Sequence, residues 1–262
     1  MDLQLKEKKA LISGSTKGIG FAIALGLARE GAEVIINGRS QSSVDEALAK
    51  LSSEVSGSVV HGFAGDLSSA DATAELVAAF PHVDILINNL GIFEPKPFLE
   101  IPDEDWRHFY EVNVLSGVRL SRSYLSGMLN NDWGRIIFIS SESAIQLPAE
   151  MIHYGVTKTA QIAVARGIAE TVAGTGVTVN SVLPGPTHSE GVNDFVEQVS
   201  GGQSFEEFET EFFESVRPSS LIRRFATTEE VANLVVYLSS PLASATTGAA
   251  LRVDGGVIRA CV

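Results

Sequence analysis

The sequence predicts an α/β fold, a doubly wound and mostly parallel seven-stranded sheet with helices on both faces. Three observations carry that expectation. Seven short apolar runs recur along the 262 residues, helical patterns fill the early intervals, and the first run opens into a glycine-rich turn that leads directly into a helix. Strands alternating with helices require crossover connections, which make the paired strands parallel.

The runs are, in order, "KALISG", "EVIING", "VVHGFAG", "VDILINN", "RIIFIS", "TVNSVLPG" and "AALRVDGG". Segments such as "GFAIALGLAREG" and "SVDEALAKLSSEV" have the period of amphipathic helices, and so does the later "TTEEVANLVVYLSS". One interval departs from this rhythm. About sixty residues separate the sixth run from the seventh, which predicts a substrate-covering insertion at about 188–222. From Ser189 to Val216 this stretch holds eight acidic residues and no basic one. Phe205, Phe208 and Phe212 fall at spacings of three and four, one face of a helix expected to pack inward.

Residues 1–262 are read as a single domain. A chain of this length buries about three quarters of its unfolded surface, and 45% hydrophobic against 19% charged residues suits a packed α/β protein. Nineteen basic against 32 acidic residues give a formal charge of −13, a field that repels phosphate backbones and anionic membranes, so neither nucleic acid nor membrane is an expected partner. The charged N-terminus lacks the apolar core of a secretory signal, and no apolar stretch is long enough to span a bilayer. With Cys261 as the one cysteine, no internal disulfide can form. Cytoplasm is the expected location.

Chemistry in a doubly wound sheet gathers beyond the carboxyl ends of the strands. There the first run gives "SGSTKGIG", with Gly14, Gly18 and Gly20 in a Gly-x-x-x-Gly-x-Gly pattern. Glycines allow a sharp turn, close approach to a pyrophosphate and tight packing of helix on strand, while the helix N-terminus stabilises the anion. No Lys-Ser/Thr pair follows, which favours a dinucleotide over a P-loop and makes the sheet Rossmann-like. The second run ends in Gly38-Arg39, where an NAD site presents Asp or Glu to the ribose. Lys17 and Arg39 together favour the extra phosphate of NADP. Asp66 after the third run is placed to accept from adenine or to cap a helix, and Asn89 and Gly91 after the fourth allow close cofactor approach.

Tyr154 and Lys158 stand one helical turn apart in "HYGVTKTA", on one face of a helix. A phenol titrates near about pH 10, and a neighbouring cation is expected to lower that value. Thirteen residues earlier Ser141 ends a strand with a hydroxyl able to orient a carbonyl oxygen, and Asn113 adds a polar group to the otherwise amphipathic segment "YEVNVLSGVRLSRSYLSGML".

In this order and spacing, "SGSTKGIG", "NNLG", "VN", "ISS", "YGVTK" and "LPGPT" resemble the short-chain dehydrogenase/reductase family over nearly the whole chain. The resemblance implies that Tyr154 is the general acid/base, that Lys158 lowers its pKa and holds the nicotinamide ribose, that Ser141 orients the substrate oxygen, and that Asn113 fixes a water in a proton relay. It implies hydride transfer from NADP(H) to a carbonyl. The cofactor positions are Gly14, Ser15, Thr16, Lys17, Gly18, Ile19 and Gly20 in the loop, Arg39, Asp66, Leu67, Asn89 and Gly91 beyond the next strands, Tyr154 and Lys158, and Pro184, Gly185 and Thr187 beside the carboxamide. Two departures stand out: Leu90 is larger than the family's common Ala, and Thr157 replaces the common Ser. A homo-oligomer, tetramer or dimer, is likewise implied.

The five histidines make no metal-type spacing, so no metal site is expected. The expected substrate is a free small-molecule carbonyl or alcohol. The alternative is a 3-oxoacyl-[acyl-carrier-protein] reductase, which needs a basic landing surface for its acidic carrier. Asp132 and Thr175, taken to lie near the site mouth, stand where such reductases carry arginine, and the acidic stretch adds repulsion. A non-catalytic NADP-sensing protein would lack Tyr154 or Lys158.

Overall fold

The computed structural model describes residues 2–189 and 204–261. Seven strands, β1 (Lys9–Ile12), β2 (Glu33–Gly38), β3 (Val60–Ala64), β4 (Ile85–Asn88), β5 (Gly134–Ile139), β6 (Val177–Pro184) and, after the two-residue β7 (Thr187–His188) and β8 (Ala226–Thr227), β9 (Ala250–Val253), carry the runs predicted as strands. They form one sheet in the order β3-β2-β1-β4-β5-β6-β9, parallel throughout. Leu11 pairs with Ile35 on one side and Leu86 on the other. The chain winds outward from β1 to β3, then returns to place β4 against the other edge of β1, and the glycine-rich loop follows β1 at this switch point.

Alternation along the strands divides the core between two faces. Ala10, Ile12, Ile36, Ile87 and Ile139 pack under α1 (Gly18–Arg29), α2 (Gln41–Glu54) and α8 (Thr228–Leu238). Leu11, Ile35, Leu86 and Phe138 pack under α3 (Ala70–Ala79), α5 (Ser116–Asn130) and α6 (Ile152–Thr171). Both faces are covered, which is why β5 and β6 are buried at every position, the polar Arg135, Thr178, Asn180 and Ser181 included. Local chemistry starts the helices: Ser40 caps α2, Ser69 caps α3, and Thr227 with Glu230 forms a capping box on α8. Ser69, not Asp66, is the cap of α3.

The segment read as one helix from residue 110 is more complex. It runs from α4 (Asp103–Tyr110) through a π-helical turn at Glu111–Leu115 into α5, and the wider turn holds Asn113. In the segment expected to cover the site, α7 (Phe205–Glu211) continues into a second π-helical turn at Phe212–Val216. Its aromatic face packs inward as expected. Phe205 and Phe212 lie 5.7 and 5.1 Å from Phe225, and Phe213, one residue off the predicted stripe, is the buried member. Glu190, Asp194 and Glu197 of the acidic stretch lie outside the described residues. The short β7–β8 pairing, which the sequence did not announce, joins the end of β6 to the segment before α8.

Asp132 and Thr175 are not at the site mouth. They precede β5 and β6, at the amino ends of strands whose carboxyl ends carry Ser141 and Pro184. There Asp132 accepts the Gly176 N–H at 2.7 Å and holds the two connections together. Among the described residues no helix is long and apolar enough to cross a membrane, and no His/Cys/Asp/Glu cluster is suited to a metal ion.

Candidate active site

Two cavities open at the carboxyl edge of the sheet. The smaller, of about 160 Å³, is bordered by Gly14, Thr16, Lys17, Asn37, Gly38, Arg39, Gly65, Asp66, Leu67 and Leu90. The larger, of about 560 Å³, brings together Ile19, Asn89, Gly91, Ser141, Tyr154, Lys158, Pro184, Gly185 and Thr187 under a roof from Phe208, Phe212 and Phe225.

The loop between the cavities is shaped by its glycines and by side chains the sequence did not single out. Gly14 and Gly18 adopt φ of +61° and +57°, a region costly to other residues. A Cβ on Gly20 would lie 2.5 Å from both Asn89 Nδ2 and the Gly14 carbonyl, so only glycine lets α1 come this close. No side chain caps α1, whose N-cap is Lys17. Asn37 accepts the Gly14 N–H at 3.0 Å and donates to the Phe63 and Gly65 carbonyls, tying the ends of β1, β2 and β3 together. Asn89 Nδ2 donates to the Ser13 and Gly14 carbonyls, and the Ser13 hydroxyl accepts from the N–H groups of Asn89 and Leu90.

Not every expected cofactor residue faces a cavity. Ser15 is fully buried, donating to the Ile12 carbonyl at 2.7 Å and accepting the Asn37 N–H at 2.9 Å, so its side chain fastens β2 to β1. Gly20 is likewise a packing residue, and Gly18 borders the outer side of α1. Lys17 and Arg39 are exposed at the rim of the smaller cavity. Asp66 accepts from the Ser68 N–H and hydroxyl. Burial opposes its charge, but these bonds and the Arg39 guanidinium outweigh it and hold the carboxyl below its ordinary value.

Tyr154 and Lys158 share a face of α6, with the ammonium 5.6 Å from the tyrosine ring centre. Their electrostatics differ from the expectation. Lys158 is buried, its Nζ donates to the Ile139 carbonyl at 2.9 Å, and burial holds it down at about 8. Burial pushes the Tyr154 phenol well above its ordinary value; a hydrogen bond with Ser141 lowers it, the Glu142 carboxylate raises it, and Arg217 lowers it. Desolvation of the phenol is the largest of these influences, and Lys158 is not among them. A side chain on Gly91 would meet the Lys158 ammonium at 3.3 Å, which explains the glycine there.

Asn113 is fully buried and lines neither cavity. Its side-chain amide exchanges hydrogen bonds with the Ile92 backbone and donates to Thr157 Oγ1 at 2.9 Å, while its backbone carbonyl accepts from the Gln161 side chain. Thr157 in turn donates to the Tyr154 carbonyl at 2.7 Å, so this departure from the family pattern anchors Asn113 to α6. Leu90, the other departure, packs against Gly14 at the edge of the smaller cavity. His153 packs on Phe109 with ring centres 4.0 Å apart, and burial holds its imidazole below the ordinary value. Sequence reasoning missed Glu142, Glu150 and Arg217, all on the wall of the larger cavity.

A parallel sheet with a glycine loop at its switch point and a serine, tyrosine and lysine converging beyond it defines a dinucleotide-dependent oxidoreductase of the short-chain type. Residues 14–258 match a family model described as enoyl-(acyl carrier protein) reductase. The chain is 49% identical over 261 residues, 99% of each chain, to the uncharacterised oxidoreductase YvaG of Bacillus subtilis (strain 168). It is 34% identical to the 3-oxoacyl-[acyl-carrier-protein] reductase FabG of Aquifex aeolicus (strain VF5), covering 98% of this chain and all of the other. The crystal structure of L-sorbose reductase from Gluconobacter frateurii, complexed with NADPH and L-sorbose, superposes with a TM-score of 0.92 at 30% identity, covering 99% of this chain and 100% of that one. The chain belongs to the short-chain dehydrogenase/reductase family.

Proposed function

We propose that this protein is an NADP(H)-dependent oxidoreductase interconverting a small-molecule carbonyl and its alcohol. The observation that carries the reading is the convergence of Ser141, Tyr154 and Lys158 on one cavity that also holds Gly91, Pro184, Gly185 and Thr187. Lys17, Arg39 and Asp66 border the smaller cavity, and with no carboxylate at the end of β2 they suit an NADP 2′-phosphate and adenosine; the glycine loop and uncapped α1 suit the pyrophosphate. That NADPH is held in the superposed sorbose reductase supports the same cofactor here. NADPH would supply the hydride. Ser141 and Tyr154 hold the substrate oxygen, and Tyr154, protonated at neutral pH, delivers the proton to it. Lys158 holds the ribose, and the phenylalanine roof keeps water from the reacting carbon.

NADPH and NADH oxidation over ketones, keto-sugars, quinones and oxoacyl esters, in wild type and Tyr154→Phe, tests this reading. NADPH consumption with at least one carbonyl, lost on the order of 10²- to 10⁴-fold in the variant with cofactor binding retained, is the expected result. NADPH binding without turnover in either protein would favour the sensor. The carrier-protein reductase is the second reading, favoured by the FabG relative. Against it stand the charge of −13 and the exposed Glu206, Glu207, Glu211 and Glu214 on the covering segment. A homo-oligomer follows from the family resemblance and is checked by light scattering.

A further inference from the structure

Resting on the oxidoreductase reading, we propose that Glu142 is a positioning residue of the reaction and that Arg217, arriving from the covering segment, is the clamp that holds it. A chain of buried polar contacts carries this. Ser141 Oγ donates to Glu142 Oε2 at 2.5 Å, and the same oxygen accepts the Ser143 N–H at 2.9 Å and the Ser143 hydroxyl at 3.1 Å. Glu142 Oε1 accepts Arg217 Nε at 3.2 Å, and Arg217 Nη1 donates to Glu150 Oε1 and the Val216 carbonyl, each at 3.1 Å. Glu142 is 5% exposed and Arg217 9%. An enclosed carboxylate is costly unless its oxygens are met by donors, and here every donor comes from the catalytic serine's turn or from Arg217.

The chemical consequence lies in the direction of the hydrogens. A serine hydroxyl has one hydrogen and two lone pairs. Here that hydrogen goes to Glu142 while the oxygen accepts the Ser143 N–H at 3.1 Å, so Glu142 fixes the Ser141 hydroxyl beside Tyr154, and the hydrogen turns from Glu142 to a substrate oxygen when one arrives. The carboxylate also sets the charge around the phenol. Facing the cavity with Tyr154 are Lys158 on the same helix, Glu142 and Glu150 on the two turns before it, and Glu211 and Arg217 from the covering segment. Glu142 reinforces burial in opposing ionisation of Tyr154, which keeps the tyrosine a proton donor, the state reduction needs, and Arg217 offsets part of that effect.

The test measures kcat and KM for carbonyl reduction, and the pH profile of alcohol oxidation, in wild type, Glu142→Gln, Glu142→Asp and Arg217→Met, with NADPH affinity from cofactor fluorescence. Glu142→Gln is expected to lower kcat about tenfold with NADPH affinity kept, and to move the rising limb of the oxidation profile to lower pH. Arg217→Met is expected to move the limb the other way, each by on the order of one pH unit, a tenfold change in ionised phenol. Glu142→Asp, which restores the charge, should return the limb toward wild type. Loss of packing cannot shift the two variants in opposite directions. Shifts in the same direction, or none, overturn the role of Glu142 while leaving the oxidoreductase reading intact. If Glu142→Gln does not fold, an Arg217→Met profile that stays put or moves to lower pH overturns it equally. Wild type that binds NADPH and turns over no carbonyl removes both readings.

Discussion

Lys158 is enclosed between β5 and α6, and burial lowers it from an ordinary lysine value of 10.5 to about 8. Because the folded value lies below the unfolded one, the charged ammonium costs the fold stability at every pH below about 8, on the order of 3 kcal/mol, and the cost fades as pH rises toward 10.5. Wild type is therefore expected to gain stability relative to Lys158→Met between pH 8 and 10.5, read from urea unfolding at pH 7, 9 and 10.5; a constant difference would contradict the assignment. Carbonyl reduction should fall over the same interval. Burial moves Tyr154 up and Lys158 down, so the lysine is the first of the two to lose its proton as pH rises. The spacing of Tyr154 and Lys158 was legible because a helix fixes which residues share a face. The sign of the tyrosine's shift was not, since it depends on desolvation and on Glu142 and Arg217, which lie 75 residues apart in the chain. Arg39 is simpler. Arg39→Glu is expected to cut kcat/KM with NADPH about 10- to 100-fold and to leave NADH less affected, since a charge-assisted contact is replaced by repulsion.

Helices and strands were the legible scale, for a local reason: strands buried on both faces are rich in apolar residues, and β5 and β6, buried at every position, keep residues 136–139 and the valines of β6 as readable runs around Arg135, Thr178, Asn180 and Ser181. The π-helical turns at 111–115 and 212–216 were not, because a one-residue widening leaves no mark on an apolar period. The glycine loop shows the same division. Its glycines were readable, whereas Ser13 and Asn37, which hold it in shape, look in sequence like ordinary strand polar residues. Two substitutions separate glycines that serve the site from one that does not. Gly20→Ala puts a methyl 2.5 Å from Asn89 Nδ2 and the Gly14 carbonyl, so it should weaken NADPH binding and lower the melting temperature together. Gly167→Ala, on an exposed position of α6 with no atom within 4 Å, should instead stabilise the protein by about 0.5–1 kcal/mol with cofactor affinity unchanged. Calorimetry with cofactor titration distinguishes the two.

At the scale of the whole molecule the governing quantity is the charge of −13. Relocating Asp132 and Thr175 to the amino ends of β5 and β6 removes them from any argument about the mouth of this chain's own cavity. What stands at that mouth is the covering segment, with Glu206, Glu207, Glu211 and Glu214 exposed and Arg217 turned inward and engaged by Glu142 and Glu150. An acidic carrier protein therefore meets both a repulsive long-range field and an acidic rim, whereas a neutral ketone meets neither. Repulsion between exposed charges is screened over about 10 Å at 0.1 M salt and about 3 Å at 1 M. Turnover of a carrier-borne oxoacyl group should therefore rise as salt is increased from low ionic strength to about 0.3 M, while turnover of the corresponding free thioester stays level. The opposite slope, carrier turnover falling with salt, would mean that attraction steers the carrier in, and the carrier-protein reductase would become the better description of this enzyme.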